Sequence, residues 1–251
     1  GEARVQALLT GQIDMNRYVQ FSQKKIFDGN SKFKTSVIPT GNWRGMVMNT
    51  ERAPFDNPKV RKAVRLAVDR QELVDTVMGG EAVVSCDTPV APTDQYRHNM
   101  GCKQNIAEAK KLLKEAGYPN GIEMVIHVST KEPTWPTIAE VIQQQVAKAG
   151  IKVDIKMTPS KSYWKETWMK KDVAMTRWNE RSADSVLHEV YHSSAKWNES
   201  YYKSSDFDKN LADARGELDF TKRKALYVKA QHTLWNQSGT MIPYHVSKLV
   251  V

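Results

Sequence analysis

Apolar and polar residues follow two different periods through the middle of this chain, and the changes of period predict its elements. Alternation at residues 123–128 predicts a strand, helical spacing at 138–149 predicts a helix, and residues 152–157 predict a second strand. A helix at 159–170 and a strand at 173–177 follow. This order predicts an α/β fold with a parallel or mixed sheet, helices on its faces and ligands at the carboxyl ends of its strands.

Capping residues mark further helix ends. Asn57 stands before Pro58, and Asp69 stands three residues before Glu72, so two helices are predicted to begin at these sites. Two glycines at 79–80 end the second of them. The remaining predicted elements are a helix before Gly11, strands at 13–15, 36–39, 44–48 and 241–246, and helices at 106–116, 206–216 and 221–236.

The overall charge raises the possibility of an anionic partner such as nucleic acid, because the 251-residue chain has a formal net charge of +9. The 37 Lys and Arg residues are, however, spread along the chain with acids between them. We find no basic stripe or nucleic-acid motif, so a solvated basic surface is favoured and no nucleic acid is expected as a partner. No apolar run approaches the roughly 18 residues of a membrane span.

The two cysteines, Cys86 and Cys102, lie in a loop-rich stretch that also contains prolines. A disulfide that closes a short loop is one interpretation of this pair. A zinc site is the other, but it would need further ligands, and only His98 is near in sequence.

A motif near the C-terminal third suggests enzyme chemistry. His188, Glu189 and His192 spell H-E-x-x-H, which on a helix places two imidazoles on one face for zinc and supplies a Glu as general base. The apolar residues of this predicted helix lie on its opposite side, so two solvent-facing histidines fit the pattern as well. A zinc metalloprotease therefore stays as an alternative function. No Gly-rich phosphate loop, nucleophile elbow or paired-carboxylate signature occurs, so enzymes of those classes are not supported.

Several segments of this chain resemble one protein family. Residues 49–63, NTERAPFDNPKVRKA, continued by AVDR at 67–70, closely resemble the extracytoplasmic solute-binding proteins of ABC importers, in the dipeptide, oligopeptide and nickel-binding family (family 5). Residues 106–121 are similar to the family's helix and Gly-Tyr-Pro-x-Gly turn, and residues 207–231 to its terminal helices. The resemblance covers nearly the whole chain but only the C-terminal half of a typical member, so we expect a truncated fragment.

The resemblance implies a fold and a function. It implies a lobe like that of type II periplasmic binding proteins, with a mixed sheet, helices on both faces and remnants of a second lobe. Residues 1–42 and 240–251 would belong to the first lobe, and residues 43–239 would form the second, ligand-binding lobe. The function implied is capture of a small solute between two lobes for an ABC permease and ATPase, without enzymatic activity or a cofactor. The location implied is the periplasm, or the cell surface as a lipoprotein.

The resemblance also points to a ligand site. In peptide-binding relatives, a Trp is followed three residues later by an Asp that receives the peptide's ammonium group, and then by another acid with Pro. Here Trp178 is retained, Arg181 holds the position of the first acid, and Asp184 keeps the second, with Ser185 in place of Pro. An Arg would repel an ammonium and offers a planar fork for a carboxylate or phosphate. Together with Asn179, these residues predict a site for an anionic or acidic, possibly peptide-like solute, unless Arg181 pairs with a nearby acid instead.

Four further residues are weaker candidates for ligand contact. Lys131 and Trp135 lie in a loop that resembles a ligand-contacting loop of the family. Trp43 and Arg44 precede the strand that leads into the predicted second lobe. An aromatic residue at such a position either walls a pocket or belongs to the core.

Overall fold

The computed structural model describes residues 2–251, in which six strands form one mixed sheet. The strands are β1 (Ser36–Met48), β2 (Ala82–Val84), β3 (Ile122–Ser129), β4 (Ile151–Thr158), β5 (Val173–Trp178) and β6 (Thr240–Val250). Their order across the sheet is β2-β6-β1-β5-β3-β4. The β3 strand is parallel to β4 and β5, whereas β1 runs antiparallel to β5 and β6, and β2 antiparallel to β6.

Nine α-helices connect and flank the strands in this part of the chain. They are α1 (Glu2–Leu9), α2 (Pro58–Leu66), α3 (Arg70–Met78), α4 (Ile106–Glu115), α5 (Trp135–Ala147), α6 (Ser160–Ser162), α7 (Ala183–Tyr191), α8 (Ser205–Gly216) and α9 (Phe220–Gln237). The Asn57 side chain accepts the backbone N–H of Lys59, and Asp69 accepts those of Gln71 and Glu72. Gly79 ends α3 in the left-handed region. The capping pattern in the sequence therefore located these ends correctly.

The strand predictions were wrong at three places. Residues 13–15 are a loop, and Val19 alone makes a bridge, to Leu249. The strands predicted at 36–39 and 44–48 are one strand, because β6 pairs with it both before and after the irregular stretch between Pro39 and Trp43. Strand β6 runs four residues beyond its predicted end for the same reason, since β1 pairs with it there.

The helix predicted at 159–170 is shorter than expected. Helix α6 passes directly into a π-helical turn, Tyr163–Thr167, after which the backbone becomes extended at Trp168. The buried Tyr163 hydroxyl donates to the Met175 carbonyl at 2.6 Å, and its ring lies 5.5 Å from that of Trp135. These tertiary contacts override the local helical spacing. Trp135 itself begins α5, three residues before the predicted start.

The buried apolar residues fall into three clusters. The largest packs α2 to α5 against the sheet, the second joins α7, α8 and α9, and the third joins α1 to the end of β6. The third cluster includes Val5, Leu8 and Leu249. Among residues 2–251, no helix is both long enough and apolar enough to cross a membrane.

A buried ion pair and a disulfide tie the region after α3 to the sheet. Arg70 and Asp87 are both 3% exposed in their side chains, with Nη2 and Oδ2 2.5 Å apart. The other Asp87 oxygen accepts the backbone N–H of Ile242 at 2.9 Å. Cys86 is bonded to Cys102, with their Cα atoms 5.1 Å apart. The alternative of a zinc site at this cysteine pair is thereby contradicted.

Candidate functional site

A cavity of about 400 Å³ opens at the carboxyl end of β5. Its walls come from the π-helical turn after α6, from β5 and the residues after it, and from the loop after α7. The lining residues are Trp164, Trp168, Thr176, Arg177, Trp178, Asn179, Arg181, Trp197 and Glu199. A cavity of about 450 Å³ lies elsewhere, beside Arg52 and Asp172, but it contains none of the predicted site residues. The cavity after β5 is therefore the candidate ligand site.

Four tryptophans give the cavity its aromatic walls. The rings of Trp164 and Trp168 lie 5.6 Å apart, and those of Trp168 and Trp197 are also 5.6 Å apart. Trp178 stands at the end of β5 with the Arg181 guanidinium 5.2 Å from its ring. All four rings are partly exposed, so they present their faces to a ligand as well as to one another.

A buried carboxylate belongs to the same cavity. Glu199 is 3% exposed, and one of its oxygens accepts the indole N–H of Trp178. Within residues 2–251, no group donates a hydrogen bond to its second oxygen, Oε2. Burial raises the pKa of Glu199 to about 7, although the nearby polar groups of Thr176, Trp168 and Trp178 act in the opposite direction. Glu199 is therefore half-ionised near neutral pH.

Two arginines line the cavity, and each is paired with an acid. Arg181 Nε donates to Glu189 Oε2 at 2.7 Å, and Arg177 Nε donates to Glu132 Oε1 at 2.8 Å. The first pair agrees with the alternative in which Arg181 meets a nearby acid. Nε takes the Glu189 bond and Nη1 donates to the Asn179 carbonyl at 3.4 Å, so the remaining hydrogens of the two terminal nitrogens are the donors that a ligand could use. Glu189 thus holds the guanidinium in place.

Asp184 lies outside the cavity, although the sequence grouped it with Trp178. Its two oxygens accept Nε and Nη2 of Arg215, both at 2.8 Å, and one accepts the Tyr227 hydroxyl at 3.0 Å. The hydrogen bonds from Arg215 hold the pKa of Asp184 below its usual value. Asp184 therefore joins α7 to α8 and α9.

The H-E-x-x-H residues lie on the polar side of α7. The rings of His188 and His192 stack 4.7 Å apart, and burial lowers the pKa of His188. The glutamate between them, Glu189, accepts hydrogen bonds from Arg181 and from Ser185. In the described part of the chain, no group of three or more His, Cys, Asp or Glu residues is placed to hold a metal ion. The role visible for the motif is to orient Arg181.

The weaker sequence candidates divide between core and surface. Trp43 and Trp135 are 1% and 0% exposed, so both belong to the core and neither lines the cavity. Arg44 is partly buried and donates to the Trp43 carbonyl at 3.0 Å. Lys131 is exposed just after β3, where its backbone N–H donates to Ser129.

Sequence reasoning missed six residues that line the cavity, namely Trp164, Trp168, Thr176, Arg177, Trp197 and Glu199. Trp197 and Glu199 follow α7 and lie in a loop whose apolar residues have no regular spacing. The only signal was composition, since Trp197 and Glu199 stand two residues apart in a polar segment. Long-range packing brings them to Trp178.

The mixed sheet with helices on its faces is a fold like that of type II periplasmic binding proteins. The family described as bacterial extracellular solute-binding proteins, family 5 (middle part), matches residues 1–221. The chain therefore belongs to family 5 of the bacterial extracellular solute-binding proteins. This confirms the family resemblance and the predicted fold class.

The similar proteins are about twice as long as this chain. This chain is 30% identical over 261 residues to the glutathione-binding protein GsiB of Escherichia coli. The match covers 98% of this chain and 50% of GsiB. The periplasmic binding protein DppA of Helicobacter pylori, in complex with the peptide STSA, superposes with a TM-score of 0.80 at 27% identity, covering 99% of this chain and 50% of DppA. HbpA2 of Haemophilus parasuis superposes with a TM-score of 0.86 at 25% identity, covering 100% and 52%. The chain thus spans about half the length of these relatives.

Proposed function

We propose that this chain is one lobe of the substrate-binding component of an ABC importer. The lobe would form one wall of a cleft, and a second lobe would close over the solute and present it to a permease. The observation that carries this proposal is the cavity at the carboxyl end of β5, with aromatic walls and charged side chains on a mixed sheet. The partners proposed are a membrane permease and its ATPase, and the location is periplasmic or at the cell surface as a lipoprotein.

The packing of the chain supports a division into lobes at residues 43–239. These residues hold the cavity, the second cluster and most of the largest cluster, which Met241 and Tyr244 also join, whereas residues 1–42 and 240–251 hold all of the third cluster. A separate small cluster that joins α1 and the following loops to the end of β6 is what the edge of a second lobe would require, because each lobe needs its own core. The long strands β1 and β6 would then connect the two lobes.

For the solute we propose a small, peptide-like compound that carries a carboxylate. Glu189 fixes Arg181 at the cavity, and its terminal nitrogens can receive a planar carboxylate with two parallel hydrogen bonds. Two relatives fit this class by name, since one is a glutathione-binding protein and the other was solved with a peptide. Trp178 and Asn179 would contact the same solute.

Arg181→Met is expected to weaken the binding of acidic dipeptides about tenfold or more, because it removes a charge-assisted hydrogen-bond donor. Isothermal titration calorimetry on a two-lobe protein that includes this chain would measure the change. Arg17→Met is the matched control, since Arg17 is exposed and does not line the cavity. Unchanged affinity for acidic dipeptides would mean that Arg181 serves only as the partner of Glu189.

A further inference from the structure

The charge of a second group on the solute can be inferred from Glu199. This inference rests on the proposal above that the cavity is the solute site. The loop that carries Glu199 is held firmly. Asn198 Oδ1 accepts the Tyr202 backbone N–H at 3.1 Å, and the Ser200 carbonyl accepts the Thr50 backbone N–H at 2.9 Å. These contacts fix the backbone on both sides of Glu199.

Glu199 makes fewer hydrogen bonds than a purely structural carboxylate would need. A single acceptor oxygen is enough to orient Trp178, and an amide would provide it without the cost of burying a charge. The hydroxyl of Thr176 and the indole N–H of Trp168 lie beside the carboxylate and lower its pKa, but neither donates a hydrogen bond to the second oxygen, Oε2, which is buried. An open carboxylate oxygen next to a hydroxyl that can also accept matches a group that donates several hydrogen bonds at once.

The charges around the cavity leave Glu199 as the unbalanced one. Arg177 and Arg181 are neutralised by Glu132 and Glu189. Lys196 lies 5.0 Å from the ring of Trp197, but it is exposed to solvent, where water and salt screen its charge. The cavity floor therefore favours a positive group.

The aromatic walls point to the same kind of group. Tryptophan faces attract cations through the ring quadrupole, and the attraction is stronger where water is excluded. Trp168 and Trp178 flank the carboxylate, and Trp164 and Trp197 extend the wall. A carboxylate enclosed by indole rings provides both a counter-ion and an apolar shell for an organic cation.

We propose that Glu199, Thr176 and the surrounding tryptophans form a subsite for an ammonium group of the solute. This subsite lies at the floor of the cavity, and Arg181 provides a carboxylate-binding position in the same cavity. The favoured solute is then zwitterionic. Ionisation of Glu199 is required, so the ammonium competes with a proton for the same oxygen.

The test uses simple probes that need only one charged group. The 251-residue chain, labelled with ¹⁵N, would be titrated with butylammonium chloride, sodium butyrate and butanol while the indole N–H resonances of its seven tryptophans are followed. Butylammonium is expected to shift the Trp178 resonance with saturation, whereas butanol at the same concentrations does not. Glu199→Gln should weaken butylammonium binding about tenfold or more, because the counter-ion is lost.

Glu166→Gln is the matched control, because Glu166 lies in the π-helical turn between two of the wall tryptophans but is exposed and does not line the cavity. It should leave the butylammonium affinity unchanged. Retention of that affinity in Glu199→Gln, or an equal response to butanol, would overturn the proposal.

A measurement on the unaltered chain guards against a variant that fails to fold. Its butylammonium affinity should rise between pH 6 and pH 8 as Glu199, whose pKa burial raises to about 7, becomes ionised. A flat profile would also overturn the subsite. The outcome is separate from the test of the proposed function. If an unaltered two-lobe protein that includes this chain bound no acidic dipeptide, the proposed function would be refuted, whereas the butylammonium titration addresses Glu199 alone.

Discussion

Replacing Glu199 by glutamine is expected to raise the free energy of unfolding at pH 8 by up to about 3 kcal/mol. The carboxylate is 3% exposed, and burial raises its pKa from 4.5 to about 7. Glutamine keeps an oxygen that accepts the Trp178 indole N–H, and it carries no charge. Replacing a residue of the candidate site should thus stabilise the protein. This is typical where a residue serves function at a cost in stability.

The pH dependence of this effect has a definite sign. Between pH 4.5 and pH 7 the unfolded chain has already lost the Glu199 proton while the folded chain still holds it. Folding is therefore favoured by this group at low pH, and the contribution is lost as the pH rises to about 7. The difference between the variant and the unaltered chain should shrink toward zero near pH 4.5.

Urea unfolding at several pH values, followed by tryptophan fluorescence and circular dichroism, would measure the difference. Glu166→Gln serves as the control again, because replacing an exposed carboxylate should change the free energy of unfolding by less than about 0.5 kcal/mol. If Glu199→Gln destabilised the chain equally at pH 5 and pH 8, the carboxylate would have a structural role and no buried charge to relieve.

The second large effect is expected at the buried ion pair. Asp87→Asn should lower the free energy of unfolding by about 3–5 kcal/mol, because it leaves Arg70 buried without its counter-charge. Arg65 would also be affected, since it is buried nearby and Asp87 raises its pKa against the lowering effect of burial. Asn tolerates the left-handed backbone at position 87, where φ is 67°. The decrease in the free energy of unfolding would therefore come from the lost charge and not from backbone strain.

Chemical denaturation at neutral pH would test this prediction. Asp172→Asn is the matched control, because it breaks the exposed pair with Arg52 and should cost less than about 1 kcal/mol. A double variant, Arg70→Met with Asp87→Asn, should recover part of the loss by removing the uncompensated charge. Equal effects of Asp87→Asn and Asp172→Asn would show that burial does not strengthen the pair.

Local patterns in the sequence located most of the helices and strands of this chain. Asn57, Asp69 and Gly79 each act on backbone groups within a few residues, so their effect can be read without knowledge of the fold. The family resemblance at residues 49–63 likewise rests on a continuous run. The prediction of one helix at 159–170 was wrong, because the buried Tyr163 and its hydrogen bond to the Met175 carbonyl favour a π-helical turn there.

The sequence by itself determined the family, the class of fold and one side of the candidate site, because Trp178 and Arg181 lie in one short segment. Only the tertiary structure decided what surrounds them. It paired Arg181 with Glu189 of the H-E-x-x-H motif, buried Trp135 in the core, and brought Glu199 beneath Trp178. The physical reason is that burial and charge pairing depend on residues far apart in the chain, and no local period records which of them will meet.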